Sequence, residues 1–296
     1  MGDPILFAHA AERGRRLAER WRGQRPAFWC VLAHTDTSAR WGLSAAGLTH
    51  QSLPMTPAAD AEVVLLGAPR CLPALPSNPL GAAGPSGITR AALGLAGVEA
   101  RFIGVGLRVW PATEVRRLVA PPGGDIGTGR AVPSAAELFE SGVLYGREIA
   151  RGAAYVVVAE SVPAGTTTAL ALLLALGIQA EGRVSGSHAD NAHSLKTRVV
   201  RQALASARLQ VGDGRDDPLG AVCAIGDPMQ PVAAGIAVGA TQTGCDVLLG
   251  GGSQMLAVAA LIRALVGAPG LERIMIGTTR WVIDDAAADI VGLADL

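Results

Sequence analysis

The sequence predicts an α/β protein: a doubly wound, mostly parallel sheet with helices on both faces, plus a small helical subdomain. Three observations carry this. Short apolar runs alternate with longer ones, and Gly-bearing loops join them, which is the order of repeated strand–loop–helix units. Half of the residues are hydrophobic but only 4% are aromatic, so the core is aliphatic, as suits strands buried on both faces. The 38 glycines imply many tight turns and close backbone approaches.

The elements follow in order. Residues 1–25 read as an amphipathic N-terminal helix without the apolar core of a signal peptide, and residues 26–296 as the α/β domain. AFWCVLA (27–33), AEVVLLG (61–67) and ARFIGVGL (100–107) read as strands. Between the last two, PRCLPALPSNPLGAAGPSG is a loop long enough to suggest function or disorder, followed by a helix over ITRAALGLAGV. PPGGDIGTGRAVP is a second loop. It leads into the helix SAAELFESGVLYGREIARG, where Ser134 and Glu137 have the spacing of a capping box. Then come strand YVVVAE, helix TTTALALLLALG, loop VSGSHADNAHSLK and helix KTRVVRQALASAR. After the polar break GDGRDD, strands AVCAIG, DVLLGGG and RIMIGTT alternate with helices PVAAGIAVGATQTG and SQMLAVAALIRALVG. Ligands of such sheets bind beyond the carboxyl ends of the strands, so the polar loops are expected on one rim.

Bulk chemistry narrows the function. Lys plus Arg equals Asp plus Glu at 25 each, so no long-range field favours nucleic acid or an anionic membrane. The apolar run from Ala169 to Ile178 is too short to span a bilayer. Cys30, Cys71, Cys223 and Cys245 form no C-x-x-C pair, which fits a reducing cytosol and no zinc site. His188 and His193 are five apart with no third ligand in view, so no metal is expected. A small-molecule substrate is the expectation.

The chemistry concentrates at strand-to-helix junctions. In AESVPAGTTTA, Gly165 allows a turn, while Thr166, Thr167 and Thr168 bring hydroxyls and backbone N–H groups to a helix start, an anion site. An ordinary Thr N-cap needs only one of the three. Glu160 ends the preceding strand, either solvated or aimed into the rim. Lys196 opens a helix, where a cation opposes the dipole and calls for an anionic partner. GDPMQP (226–231) and GGGSQM (250–255) are further junctions; Gly251 and Gly252 allow close backbone approach, and Ser253 offers a cap or a phosphate ligand. GTTRW (277–281) adds Thr278, Thr279 and Arg280.

Beyond single motifs, ESVPAGTTTALALLLALG and SLKTRVVRQAL resemble nicotinate-nucleotide–dimethylbenzimidazole phosphoribosyltransferase, particularly its shorter archaeal and cyanobacterial branch. The likeness continues through SAAGLTHQSLPMTPAADAE, GGDIGTGRAVPSAAELFE, AIGDPMQPVAAGIAVGA, LLGGGSQMLAVAAL and GTTRWVIDDAAADIVGLA, covering most of residues 35–294. It implies a homodimeric, cytoplasmic enzyme of cobalamin lower-ligand assembly that needs no cofactor. Such an enzyme moves phosphoribose from nicotinate mononucleotide to 5,6-dimethylbenzimidazole. It also implies Glu160 as the acid beside the substrate, and Gly165, Thr166, Thr167, Thr168, Ser185 and Lys196 as the phosphate-holding set. Gly251, Gly252 and Ser253 fall where another loop approaches the nucleotide.

Two departures accompany the resemblance. Family members continue past the position of Leu296 into a Gly-rich segment carrying a glutamate favoured as general base. No second carboxylate is therefore expected to face the acceptor. The loop PALPSNPLGAAGPSG offers few polar side chains to hold a base, so the acceptor is open. Two alternatives remain: a non-catalytic nucleotide-binding homologue or heteromer subunit, and a phosphoribosyl-pyrophosphate-dependent transferase, although Ser161 stands where that loop carries a second acid.

Overall fold

The β-branched and aliphatic runs become six strands: β1 (Ala27–Ala33), β2 (Ala100–Val105), β3 (Arg116–Leu118), β4 (Tyr155–Ser161), β5 (Asp246–Gly250) and β6 (Ile274–Gly277). The computed structural model describes residues 5–187 and 191–295. All neighbouring strands pair in parallel, in the order β3-β2-β1-β4-β5-β6. This is the order of a Rossmann-type sheet, and the direction of winding reverses between β1 and β4.

Successive side chains of a strand point to opposite faces, and the two cores follow that alternation. Trp29, Val31 and Ala33 of β1 join Val156 and Val158 of β4 in the larger core. Phe28, Cys30 and Leu32 join Val157 and Ala159 in the smaller one. The larger core is covered by α4 (Ala135–Ile149), α5 (Gly165–Ala175), α6 (His193–Ala207), α7 (Pro218–Ile225), α8 (Met229–Gln242) and α9 (Ser253–Val266). The smaller is covered by α2 (Thr56–Leu66), with Leu93 of α3 (Ser86–Ala96) packed at its edge. Short helices α10 (Arg280–Ile283) and α11 (Ile290–Leu293) close the described chain. Helices α4 and α8 touch almost backbone to backbone. A Cβ at Gly142 or Gly146 would run into the carbonyl oxygen of Val232 or Ile236.

Helix α1 (Ala11–Trp21) binds the amino-terminal end of the sheet. The Trp21 ring stacks on Tyr155 at 4.6 Å, and its Nε1 donates to Asp246 Oδ2 at 3.1 Å. Arg20 and Arg273 reach the same carboxylate at 2.7 and 3.0 Å.

Three expectations need correction. Residues 61–67 belong to helix α2, which starts beside Pro57 and ends at Gly67 with φ 89°. Periodicity cannot separate a buried helix from a buried strand, and here the whole run from Thr56 decides. Residues 221–225 likewise belong to α7, whose N-cap Asp217 accepts from Gly220 N and whose first turn carries Pro218. Ser134 does precede α4, but its side chain makes no capping bond. The three-residue edge strand β3 has no counterpart among the expected elements. Among the described residues no helix is long and apolar enough to cross a membrane.

Candidate active site

The carboxyl ends of β1 and β4 meet where the winding reverses, and Glu160 stands there. Strand parity turns Glu160 toward the larger core and Ser161 toward α2. Glu160 is half-buried. Its pKa is pushed up to about 8 by burial, then by the negative charges of Asp227 and Asp60, against which the Val162 backbone N–H acts.

Asp227, just before α8, is fully buried. Its Oδ2 accepts from Thr168 Oγ1 at 2.5 Å and from Gln254 Nε2 at 2.8 Å, and its Oδ1 accepts from Met229 N at 3.0 Å. Gln230 Nε2 donates to Gln254 Oε1 at 3.0 Å, which closes the network. Burial raises the Asp227 carboxyl, with the Thr168 and Gln254 bonds pulling it down.

This network redefines the threonine loop. The left-handed residue is Ala164, φ 63°, while Gly165 begins the helix proper. Glycine is needed at 165 because a Cβ there would lie 2.5 Å from Gln254 Nε2. Thr168 gives its hydroxyl to Asp227, and Thr167 Oγ1 is buried without a partner. Thr166 is the one of the three that keeps some exposure.

Lys196, in the first turn of α6, is 1% exposed and donates to the Ser185 carbonyl oxygen at 3.0 Å. Burial lowers its pKa to about 8, with Asp285 opposing. The Ser185 backbone N–H and hydroxyl both reach Ser253 Oγ, at 2.8 and 3.0 Å. Gly252 packs so that a Cβ would lie 3.5 Å from Ser185 Oγ, and Gly251 N donates to Gly277 O at 2.9 Å. Ser253 and Gln254 are adjacent on α9. One therefore holds the Ser185–Lys196 loop and the other holds Asp227 and the start of α5. Glu160, Gly165, Thr168, Ser185, Lys196, Gly252 and Ser253 thus belong to one connected rim.

The remaining sequence candidates are scattered. His188 lies outside the described residues, and His193 Nε2 meets the Ala287 carbonyl oxygen. Thr278, Thr279 and Arg280 are exposed, and Arg280 pairs with Asp284 at 3.5 Å. Asp289 caps α11 by accepting from Gly292 N, while Asp285 receives Asn191 Nδ2 at 3.1 Å.

Sequence reasoning missed Asp60, whose negative charge acts on Glu160. Asp60 lies on α2, and its Oδ2 accepts from Ser161 Oγ at 2.8 Å, beside Glu160. Burial raises its pKa, while the Ser161 and Ser86 hydroxyls pull the other way. Near the N-terminal end of the same helix lies a cleft of about 290 Å³ lined by Leu48, Met55, Thr56, Leu72, Pro73, Leu75 and Pro76. Its wall is fixed by Glu62, which accepts from Ala112 N at 2.8 Å, Cys71 N at 2.9 Å and Arg70 N.

Comparison with known proteins bears on the family and the fold. The phosphoribosyltransferase family model DBI_PRT matches residues 82–281. The UPF0284 protein of Methanothermobacter thermautotrophicus is 42% identical over 271 residues, spanning 90% of this chain and 75% of that one. The UPF0284 protein of Gloeobacter violaceus is 41% identical over 298 residues, 98% of this chain and 77% of that one. Among solved structures, the nicotinate-nucleotide-dimethylbenzimidazole phosphoribosyltransferase of Thermus thermophilus superposes with a TM-score of 0.66 at 22% identity, over 100% of this chain and 81% of that one. That likeness concerns the fold. The family model and the relatives' identity go further: the chain belongs to the DBI_PRT phosphoribosyltransferase family, together with these UPF0284 proteins.

Proposed function

We propose that the chain transfers phosphoribose from nicotinate mononucleotide to an aromatic base of the 5,6-dimethylbenzimidazole type, giving an α-ribazole phosphate and nicotinate. The observation that carries this reading is the pairing, on one rim, of a carboxyl raised to about 8 at Glu160 with a buried ammonium at Lys196. The buried ammonium and the loop it holds suit a phosphate. Glu160 stands where negative charge is useful as the glycosidic bond to the pyridinium breaks and positive charge spreads over the ribose. Nicotinate leaves with the bonding pair on its ring nitrogen, so it needs no proton. The incoming base attacks the opposite face of the anomeric carbon and must lose its own ring proton to a rim carboxylate.

The solved relative named for this reaction supports the substrate pair, and the apolar cleft along α2 suits a flat aromatic acceptor. In the same reading the chain works as a homodimer, and its N-terminal helix docks on a single α/β domain spanning residues 26–296. The test is to incubate the protein with nicotinate mononucleotide and a panel of benzimidazoles and phenols. Nicotinate release that depends on the acceptor, with a phosphoribosylated base as co-product, supports the reading. Tight nucleotide binding without release would instead favour a nucleotide-binding homologue or one subunit of a heteromer. Activity only with phosphoribosyl pyrophosphate and Mg²⁺ would overturn the donor assignment.

A further inference from the structure

We propose that Asn191 and Asp285 are positioning residues for Lys196. The Asn191 amide stands between the ammonium and the Asp285 carboxylate, and the pair fixes the pH range in which that ammonium can hold a phosphate. The inference rests on the role given to Lys196 above and adds what controls it. Lys196 is the one lysine in the sequence, although 25 residues are Lys or Arg. An arginine stays charged throughout the working range of a protein, whereas a buried lysine changes its protonation readily. At this one position the chain carries a long-chain cation whose charge its surroundings can set.

Those surroundings are specific. Lys196 is 1% exposed, and its hydrogen bond goes to the Ser185 carbonyl oxygen. Asn191 is equally buried. Its Nδ2 donates to Asp285 Oδ2 at 3.1 Å and to the Ala287 carbonyl oxygen at 3.2 Å, two acceptors that fix which end of the amide is nitrogen. Its Oδ1 is buried without a hydrogen bond. A Cβ built on Gly186 would run into both Asn191 Oδ1 and Lys196 Nζ, so the two atoms flank the same small space. The amide dipole therefore lies with its negative end beside the ammonium and its positive end on the carboxylate. That alignment accounts for an oxygen that no N–H satisfies, and only glycine leaves room for it at 186.

Asp285 is itself held in place, because its Oδ1 accepts from Ala287 N at 2.9 Å. The turn between α10 and α11 that carries it is tied to the Lys196 loop. Asp289 N donates to the Arg183 carbonyl oxygen at 2.9 Å, and His193 Nε2 meets that of Ala287. Other charges nearby are engaged elsewhere. Arg183 pairs with Asp289 and Asp284 with Arg280, while Arg198 and Arg201 lie beside Glu181 on the far face of α6 from Lys196. Among the described residues, Asp285 is the charge that supports the ammonium against burial.

The experiment uses the full chain labelled with ¹³C,¹⁵N-lysine, whose single side-chain signal is followed by NMR against pH. The wild-type midpoint should lie near pH 8. Asp285→Asn keeps an acceptor for Asn191 but removes the charge, and it should lower the midpoint by about one pH unit. Asn191→Ala, which breaks the bridge from the other side, should lower it too. Exchanging the two side chains, Asn191→Asp with Asp285→Asn, returns a carboxylate beside the ammonium and should bring the midpoint back to the wild-type value or above. Calorimetry with nicotinate mononucleotide gives a second readout. Compared at equal pH, where the ligand's own titration cancels, Asp285→Asn should bind about eightfold more weakly near pH 8.5 and less than about twofold more weakly near pH 6.5. An unmoved midpoint in Asp285→Asn would overturn the assignment. So would an affinity loss that is the same at both pH values, which would reduce the pair to a brace for the loop. If Lys196→Ala binds the nucleotide as tightly as wild type, the phosphate role of Lys196 fails, and the NMR midpoints still decide whether the pair governs its charge.

Discussion

Two carboxylates, one buried and one half-buried, stand at opposite ends of neighbouring strands, and they are treated in opposite ways. Asp246, at the start of β5, is 6% exposed and receives Arg20, Arg273 and the Trp21 indole. Glu160, at the end of β4, has two further acids near it, and the contact that favours its charged form is one backbone N–H. The first arrangement satisfies a charge and ties α1 to the sheet. The second leaves a carboxyl able to change its protonation near neutral pH, which stability does not call for and chemistry does.

The largest effect separating the two should come from Glu160→Gln. The change keeps size and removes charge, and it should cut phosphoribosyl transfer by about 10²–10⁴-fold. The variant should fold normally, as circular dichroism would show; an unaltered rate would make Glu160 a strand-end bystander. Next comes Lys196→Ala, which should weaken nicotinate mononucleotide binding by about 1.5–3 kcal/mol, the range for a hydrogen bond to a charged group. Calorimetry measures it, and equal affinities would remove Lys196 from the nucleotide site. Asp246→Asn should behave conversely, costing about 1–3 kcal/mol of stability in urea titration because its two arginines remain half-exposed. Its kcat/KM should match wild type, and a large catalytic defect would break the division between the two ends.

Most of the sheet and much of the rim were readable from local pattern. YVVVAE followed by the Gly–Thr helix start carries both the strand and the acid, and Ser185, Lys196 and Ser253 lie in or just after loops whose composition marks them. What could not be read was pairing at a distance. Asp60 meets Ser161 across 101 residues, and Asp227 meets Thr168 across 59. Residues 61–67, just past Asp60, were read as a strand, and so the helix that presents Asp60 was lost. Asp227 was visible only as part of a turn. Thr167 and Thr168 illustrate the reverse error: hydroxyls that look like ligands at a helix start are turned into the core.

Titration couples stability to the proposed chemistry. Glu160 has a folded pKa near 8, above its ordinary 4.5, so its contribution to stability is full at low pH and declines as pH rises through that window. Lys196 has a folded pKa near 8, below its ordinary 10.5, so its contribution is smallest below 8 and recovers as pH rises to 10.5. The two together are least favourable close to pH 8, the region where an ionised Glu160 and a charged Lys196 coexist best.

The most direct measurement is therefore the pH dependence of kcat/KM for nicotinate mononucleotide at saturating 5,6-dimethylbenzimidazole. The expected profile is a bell with its maximum close to pH 8, rising as Glu160 ionises and falling as Lys196 loses its proton. Glu160→Gln should remove the acid limb and Lys196→Ala the alkaline limb. A profile that stays flat between about pH 6 and about pH 10 would contradict a site built on these two groups.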